Sequence, residues 1–170
     1  MFTRHDIEKY FGAEKSEAVI FMVAGVCAAL VAVILMIWFR NAFNKGLAVP
    51  LVALGIMHFV VGATVYARAD RQRIDNVYAY DMDPASLRNE EVPRMQKVIK
   101  NFVVLRWTEI ALAISAVVLM LLYRSAPDRA FLYGAGVGLL IQAALSLILD
   151  FFAEKRAHEY LNGLREFLRL

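Results

Sequence analysis

Residues 18–39 read AVIFMVAGVCAALVAVILMIWF, an unbroken run without one charged side chain. A helix needs about 20 apolar residues to cross a hydrocarbon layer about 30 Å thick, so this stretch reads as a membrane span. Working outward, 47–67, 102–123 and 130–152 read the same way. The chain of 170 residues is therefore expected to be an all-α, integral membrane four-helix bundle made of two helical hairpins, with 1–170 as a single domain. Composition agrees. Hydrophobic residues make up 60% of the chain and mean hydropathy is +0.52, against roughly 45–50% apolar residues in a soluble domain. The first span is too long for the core of a signal peptide and follows an amphipathic, mixed-charge segment over 1–17, so cleavage is not expected.

Charge outside the spans sets the expected threading. Lys and Arg number three before the first span, seven in the connection 68–101 and four in the tail 153–170, against two in each tight turn, Arg40–Gly46 and Arg124–Arg129. The positive-inside rule then places both termini and the central connection in the cytoplasm. A net charge of +3 mostly expresses this bias. No basic surface with interleaved aromatics points to nucleic acid, and that class is rejected.

The halves correspond when the chain is shifted by 84 residues: Arg40-Asn41-Ala42 falls on Arg124-Ser125-Ala126, and Lys45 on Arg129. This fits either a parallel internal repeat about an axis along the membrane normal or two ordinary hairpins. The ends look helical and continuous with the spans. In the tail, Ala157, Tyr160, Leu161, Leu164, Phe167 and Leu168 form one stripe, with Glu154, Lys155 and Arg156 largely elsewhere. Near the N-terminus Ile7, Tyr10 and Phe11 do the same behind a Thr3 cap. Asp83-Pro84 reads as an N-cap with Pro at the first helical position. A helical cytoplasmic collar is expected, with helices lying on the membrane surface as the alternative. Gly25 with Ala28, Ala29 and Ala32, and Gly134, Gly136 and Gly138, read as close-packing faces.

Charges inside spans are costly and mark candidate sites. Arg106 and Glu109 share a face of the third span, and Asp150 near the end of the fourth can reach the same depth. This candidate cluster reads as an ion or proton relay, a head-group or partner site, or a structural ion-pair group near the interface. Deeper, His58 and Gln142 each begin a four-residue stripe, His58–Gly62–Tyr66 and Gln142–Ser146–Asp150. They read as a mid-membrane polar seam or as helix packing. In the connection, Tyr78, Tyr80, Asp81 and Asp83 are candidate partner-binding residues, because tyrosine is a common interface anchor.

Enzyme chemistry has little to stand on. The histidines His5, His58 and His158 lie on separate segments, and no H-x-x-H, G-x-S-x-G, Walker or dinucleotide pattern occurs. No catalytic residues, metal ligands or cofactor are expected. The single cysteine, Cys27, rules out dithiol chemistry and reads as a small buried core residue.

The stretch E-K-Y-F at Glu8–Phe11, N-V-Y-A-Y-D-M-D-P at Asn76–Pro84 and F-A-E-K-R-A-H-E-Y-L at Phe152–Leu161 resemble small, uncharacterised four-span proteins of bacterial inner membranes. On general architecture that resemblance implies an immunity protein for a membrane-targeting secreted effector, for example one delivered by type VI secretion. It assigns no functional residue. Three functions are thus expected to compete. The first is a non-enzymatic interaction protein, most concretely an immunity protein that binds and blocks a membrane-targeting or pore-forming toxin. The second is a small homo-oligomeric ion- or proton-coupled transporter or channel. The third is an accessory subunit of a larger membrane complex. The interaction protein is favoured because the polar groups cluster at one end of the spans. Expected partners are membrane lipid and a toxin, a membrane complex or further copies of the chain.

Overall fold

The computed structural model describes residues 2–170. Four long helices account for nearly all of them, with no strand among the described residues: α1 (Arg4–Ile37), α2 (Ala42–Met82), α3 (Pro84–Tyr123) and α4 (Pro127–Leu168). All four are long and apolar enough to cross a membrane. The helices outrun the spans. At 1.5 Å per residue the 41 residues of α2 cover about 60 Å, twice the hydrocarbon thickness.

The surplus forms the collar. The N-terminus, the C-terminus and the 82–92 junction meet at one end, where Ile7, Phe11, Leu87, Met95 and Leu164 are the largest fully buried side chains of the molecule. Tyr10 stacks on Tyr160 at 4.1 Å, and Phe2 lies against Tyr80, Tyr160 and Phe167. The amphipathic ends therefore pack their apolar stripes on one another. Thr3 and Asp6 close the start of α1 as a capping box.

The connection 68–101 holds no free loop. Helix α2 runs unbroken to Met82, and the Asp83 side chain accepts from the Ser86 amide at 3.3 Å to open α3. One π-type turn over Leu87–Glu91 precedes the regular helix. An extra residue in that turn re-aims the face of α3 and brings both Leu87 and Val92 into the collar core.

Among the spans, α2 and α4 are the inner pair. Of their most apolar stretches 39% and 28% is buried, against 11% each for α1 and α3. Helix α1 packs on α2, α2 on α4 and α4 on α3, while α1 barely meets α4. Glycines set the separations. A Cβ on Gly55 would lie 2.8 Å from the Gly25 carbonyl oxygen, and one on Gly138 would lie 2.7 Å from that of Leu47. Gly46 faces the Phe131 carbonyl and Gly134 that of Phe43, closer still. Gly136 points the other way, onto Ala116 of α3.

Those reciprocal contacts relate Gly46 to Gly134 and Phe43 to Phe131, an approximate two-fold correspondence at a shift of 88 residues. Ala48 beside Ala32 corresponds to Gly136 beside Met120 at the same shift. The register thus differs by one helical turn from the 84 suggested by the polar residues of the turns. A single 3₁₀ turn, Pro127–Arg129, lengthens the second connection before α4 settles into its regular course. Cys27 is exposed, contrary to expectation. It lines an open apolar groove with Leu51 and Leu54 of α2 and Ile141 and Leu145 of α4, while Gly25 and Ala32 take the close contact with α2.

Candidate functional site

Where collar meets spans, the four helices splay around a cavity of about 280 Å³. Tyr10, Glu14, Glu17 and Phe21 line it from α1, Arg68 from α2, Phe102 from α3, and Asp150 and Arg156 from α4. The first four sit at i, i+4, i+7 and i+11, so one stripe of α1 carries two carboxylates into the bundle. Arg156 pairs with Glu17, and Arg68 approaches Glu14 at 3.8 Å. Glu14 Oε2 and Arg156 Nε are buried without partners. Above the cavity, the Glu91 carboxylate takes both arms of Arg94 at 2.6 and 2.7 Å inside the collar core.

Asp150 also lines a second groove of about 320 Å³ between α3 and α4, together with Phe102, Arg106, Glu109, Phe151 and Glu154. The expected cluster of Arg106, Glu109 and Asp150 is assembled, with its pairing rearranged. The Arg106 guanidinium reaches along the groove to Glu154, one turn closer to the collar than Asp150. Its long stem lets the charge travel towards water, whereas the short Glu109 side chain stays where its Cα puts it. Glu109 is 7% exposed and lines the groove together with Asp150. Its Oε2 has no donor.

The mid-membrane seam is not continuous. His58 is buried with Nδ1 3.1 Å from the Leu54 carbonyl and its ring stacked on Phe21 at 5.0 Å. That contact satisfies one ring nitrogen locally, as in a packing histidine. Gln142 Oε1 and Ser146 Oγ are buried and unpartnered on α4, and no hydrogen bond joins them to His58. Tyr66 faces outward with Lys15 Nζ 4.8 Å above its ring, and Lys15 pairs with Asp70.

The partner-binding candidates divide. Tyr80 stacks on Phe167 at 4.6 Å, with its hydroxyl 3.4 Å from the Phe2 carbonyl. Asp81 meets Arg4 at 3.7 Å, and Asp83 is the cap of α3. Only Tyr78 is free, and it lies in a row with Ile74 and Met82 at four-residue spacing, 66%, 62% and 72% exposed. The row begins seven residues beyond the expected span. That is about 10 Å outside the hydrocarbon.

Sequence reasoning missed Glu14, Glu17, Glu91, Glu154 and Arg156. The signal existed for Glu14 and Glu17, which share the helical stripe of Tyr10 and Phe21. Glu154 and Arg156 lie off the apolar stripe of the tail, yet Glu154 is only 14% exposed. Among the described residues no group of three or more His, Cys, Asp or Glu side chains is disposed to hold a metal ion.

Burial pushes the carboxyls of Glu14 and Glu17 above their ordinary value, opposed by Arg94 and Arg68 at Glu14 and by Arg156 at Glu17. The folded state holds these protons more tightly than the unfolded chain does. Their contribution to stability is fully present below the ordinary glutamate value of 4.5 and is lost as pH rises through the folded values. The thermal midpoint of the detergent-solubilised protein is expected to fall as pH rises above the ordinary glutamate value of 4.5. Glu14→Gln is expected to flatten that fall, and near-UV circular dichroism melts across pH check it.

No protein-family model, curated protein or solved structure matches this chain.

Proposed function

We propose that the chain is a non-enzymatic membrane interaction protein whose collar docks a protein partner, most concretely an immunity protein that blocks a membrane-targeting or pore-forming toxin. In this reading it sits in a bacterial inner membrane with both termini cytoplasmic. The observation that carries the reading is the row Ile74, Tyr78 and Met82. Three large apolar side chains stand exposed on a helix face that begins seven residues past the expected end of the second span. Apolar anchors at i, i+4 and i+8 suit a partner that lays an apolar helix or strand across them. The turn-side halves of α2 and α4 close on each other through Gly46, Gly134 and Gly138, which weighs against a conducting path through a single copy.

The test is a photo-reactive residue at Tyr78 in native membranes. The expected product is a crosslink to one other protein in fixed stoichiometry, lost in Ile74→Glu while the collar still melts cooperatively. Co-expression should also restore growth to cells making that partner. Crosslinks to this chain alone, or a partner without growth rescue, would exclude the immunity form.

A further inference from the structure

We propose that the groove between α3 and α4 is a binding site for a lipophilic organic cation, with Glu109 and Asp150 as its counter-charges. Three features of the groove lead there. The first is charge. Arg106 is taken up by Glu154, so no basic side chain pairs with either carboxyl at the bottom of the groove. The second is an unmet acceptor. Glu109 is more than nine-tenths buried, lines the groove, and has one oxygen without any donor. The third is the wall. Phe102, Leu147 and Phe151 give an apolar lining with ring faces that attract a soft cation, and Phe151 is 62% exposed at the lipid side. The volume of about 320 Å³ is at the lower end of small-molecule sites.

A dehydrated divalent metal is a poor match, because two carboxyls supply too few ligands. A bulky ammonium or phosphonium ion needs no coordination shell and leaves water at small cost. It would enter laterally past Phe151, set its charge against the Glu109 and Asp150 carboxyls from the groove side, and rest its body on the rings. Protons and the cation would compete for the same carboxylates. The charged and titratable groups facing them are Arg106, Glu154, Lys155 and His158 on α3 and α4, with the Glu17–Arg156 and Glu14–Arg68 pairs across Asp150.

The experiment uses the full chain in nanodiscs of neutral lipid with radiolabelled tetraphenylphosphonium as the probe. Saturable binding at one site per chain is expected, weakening as pH is lowered. Removing one of a buried pair of charges should weaken it by at least about 30-fold in Glu109→Gln. Asp150→Asn should act in the same direction, and Glu109→Asp should retain saturable binding. Size-exclusion profiles matching the unaltered protein establish that the variants are folded. Absence of saturable binding to the folded protein at every pH overturns the proposal. So does binding that survives in both Glu109→Gln and Asp150→Asn, which would mark simple partition into lipid. Neither result bears on docking at Tyr78, which lies on the collar.

Discussion

A single methyl group at Gly134 is expected to separate the inner helices and lower the thermal midpoint sharply. A Cβ there falls inside contact distance of the Phe43 backbone oxygen, with the Leu47 amide only 3.1 Å away. Backbone cannot rotate aside as a flexible side chain can, so α2 and α4 must move apart. Overpacking of this kind costs about 1–3 kcal/mol, and more where rigid elements move. Gly46→Ala meets the Phe131 carbonyl in the reciprocal way and should cost a similar amount. The pair has a distinctive signature. One displacement of α2 from α4 relieves both clashes, so the double variant should cost less than the two single changes together. Gly12→Ala is the control. It meets nothing within 4 Å and should stabilise α1 by up to about 1 kcal/mol through helix propensity. Thermal melts of the four proteins in one detergent decide the matter. Equal effects at Gly12 and Gly134 would mean that the glycines are not what sets the helix separation.

Much of this architecture was legible because a membrane leaves few choices. Apolar runs of the right length must be helices, since a single segment satisfies its own backbone in hydrocarbon only as a helix. The collar was legible for a related reason: Tyr160, Leu161, Leu164 and Leu168 recur at helical spacing beyond the last span. What the sequence withheld depends on rotation and register between helices. Asp150 and Glu154 are one turn apart on α4, and either can meet Arg106 until the depth of α3 against α4 is known. The same ambiguity hid the shift of 88, since polar matches at the turns report where spans end and not how they pair. Tyr78 and Tyr80 are two residues apart, about 200° around a helix. In a stretch read as a connection both looked equally available, and continuing α2 to Met82 turned one into the core and left the other outside. Glu14 and Glu17 were passed over because carboxylates just before a span look like ordinary interfacial charge.

Truncating Phe11 is expected to melt the collar while leaving the spans in place. Phe11 is 1% exposed, packs edge-on against Tyr10 and Tyr160, and carries the Arg94 guanidinium 5.7 Å from its ring centre. Phe→Ala at such a site costs about 3–5 kcal/mol, a large share of what one small core supplies. The loss should be local, for a physical reason. Outside the hydrocarbon the helix ends depend on each other's side chains for burial, whereas within it each span keeps its backbone bonds whatever its neighbours do. Phe11→Ala should therefore show early loss of near-ultraviolet signal from the stacked tyrosines with most helicity retained. New trypsin cuts should appear at Arg88, Arg94 and Lys97, which the intact collar holds in helix. Val118→Ala, on the lipid face of α3, should change stability by less than about 0.5 kcal/mol. If Phe11→Ala instead unfolds collar and spans in one step, the two regions are a single cooperative unit. The Glu17–Arg156 and Arg106–Glu154 pairs at their boundary would then be what couples them.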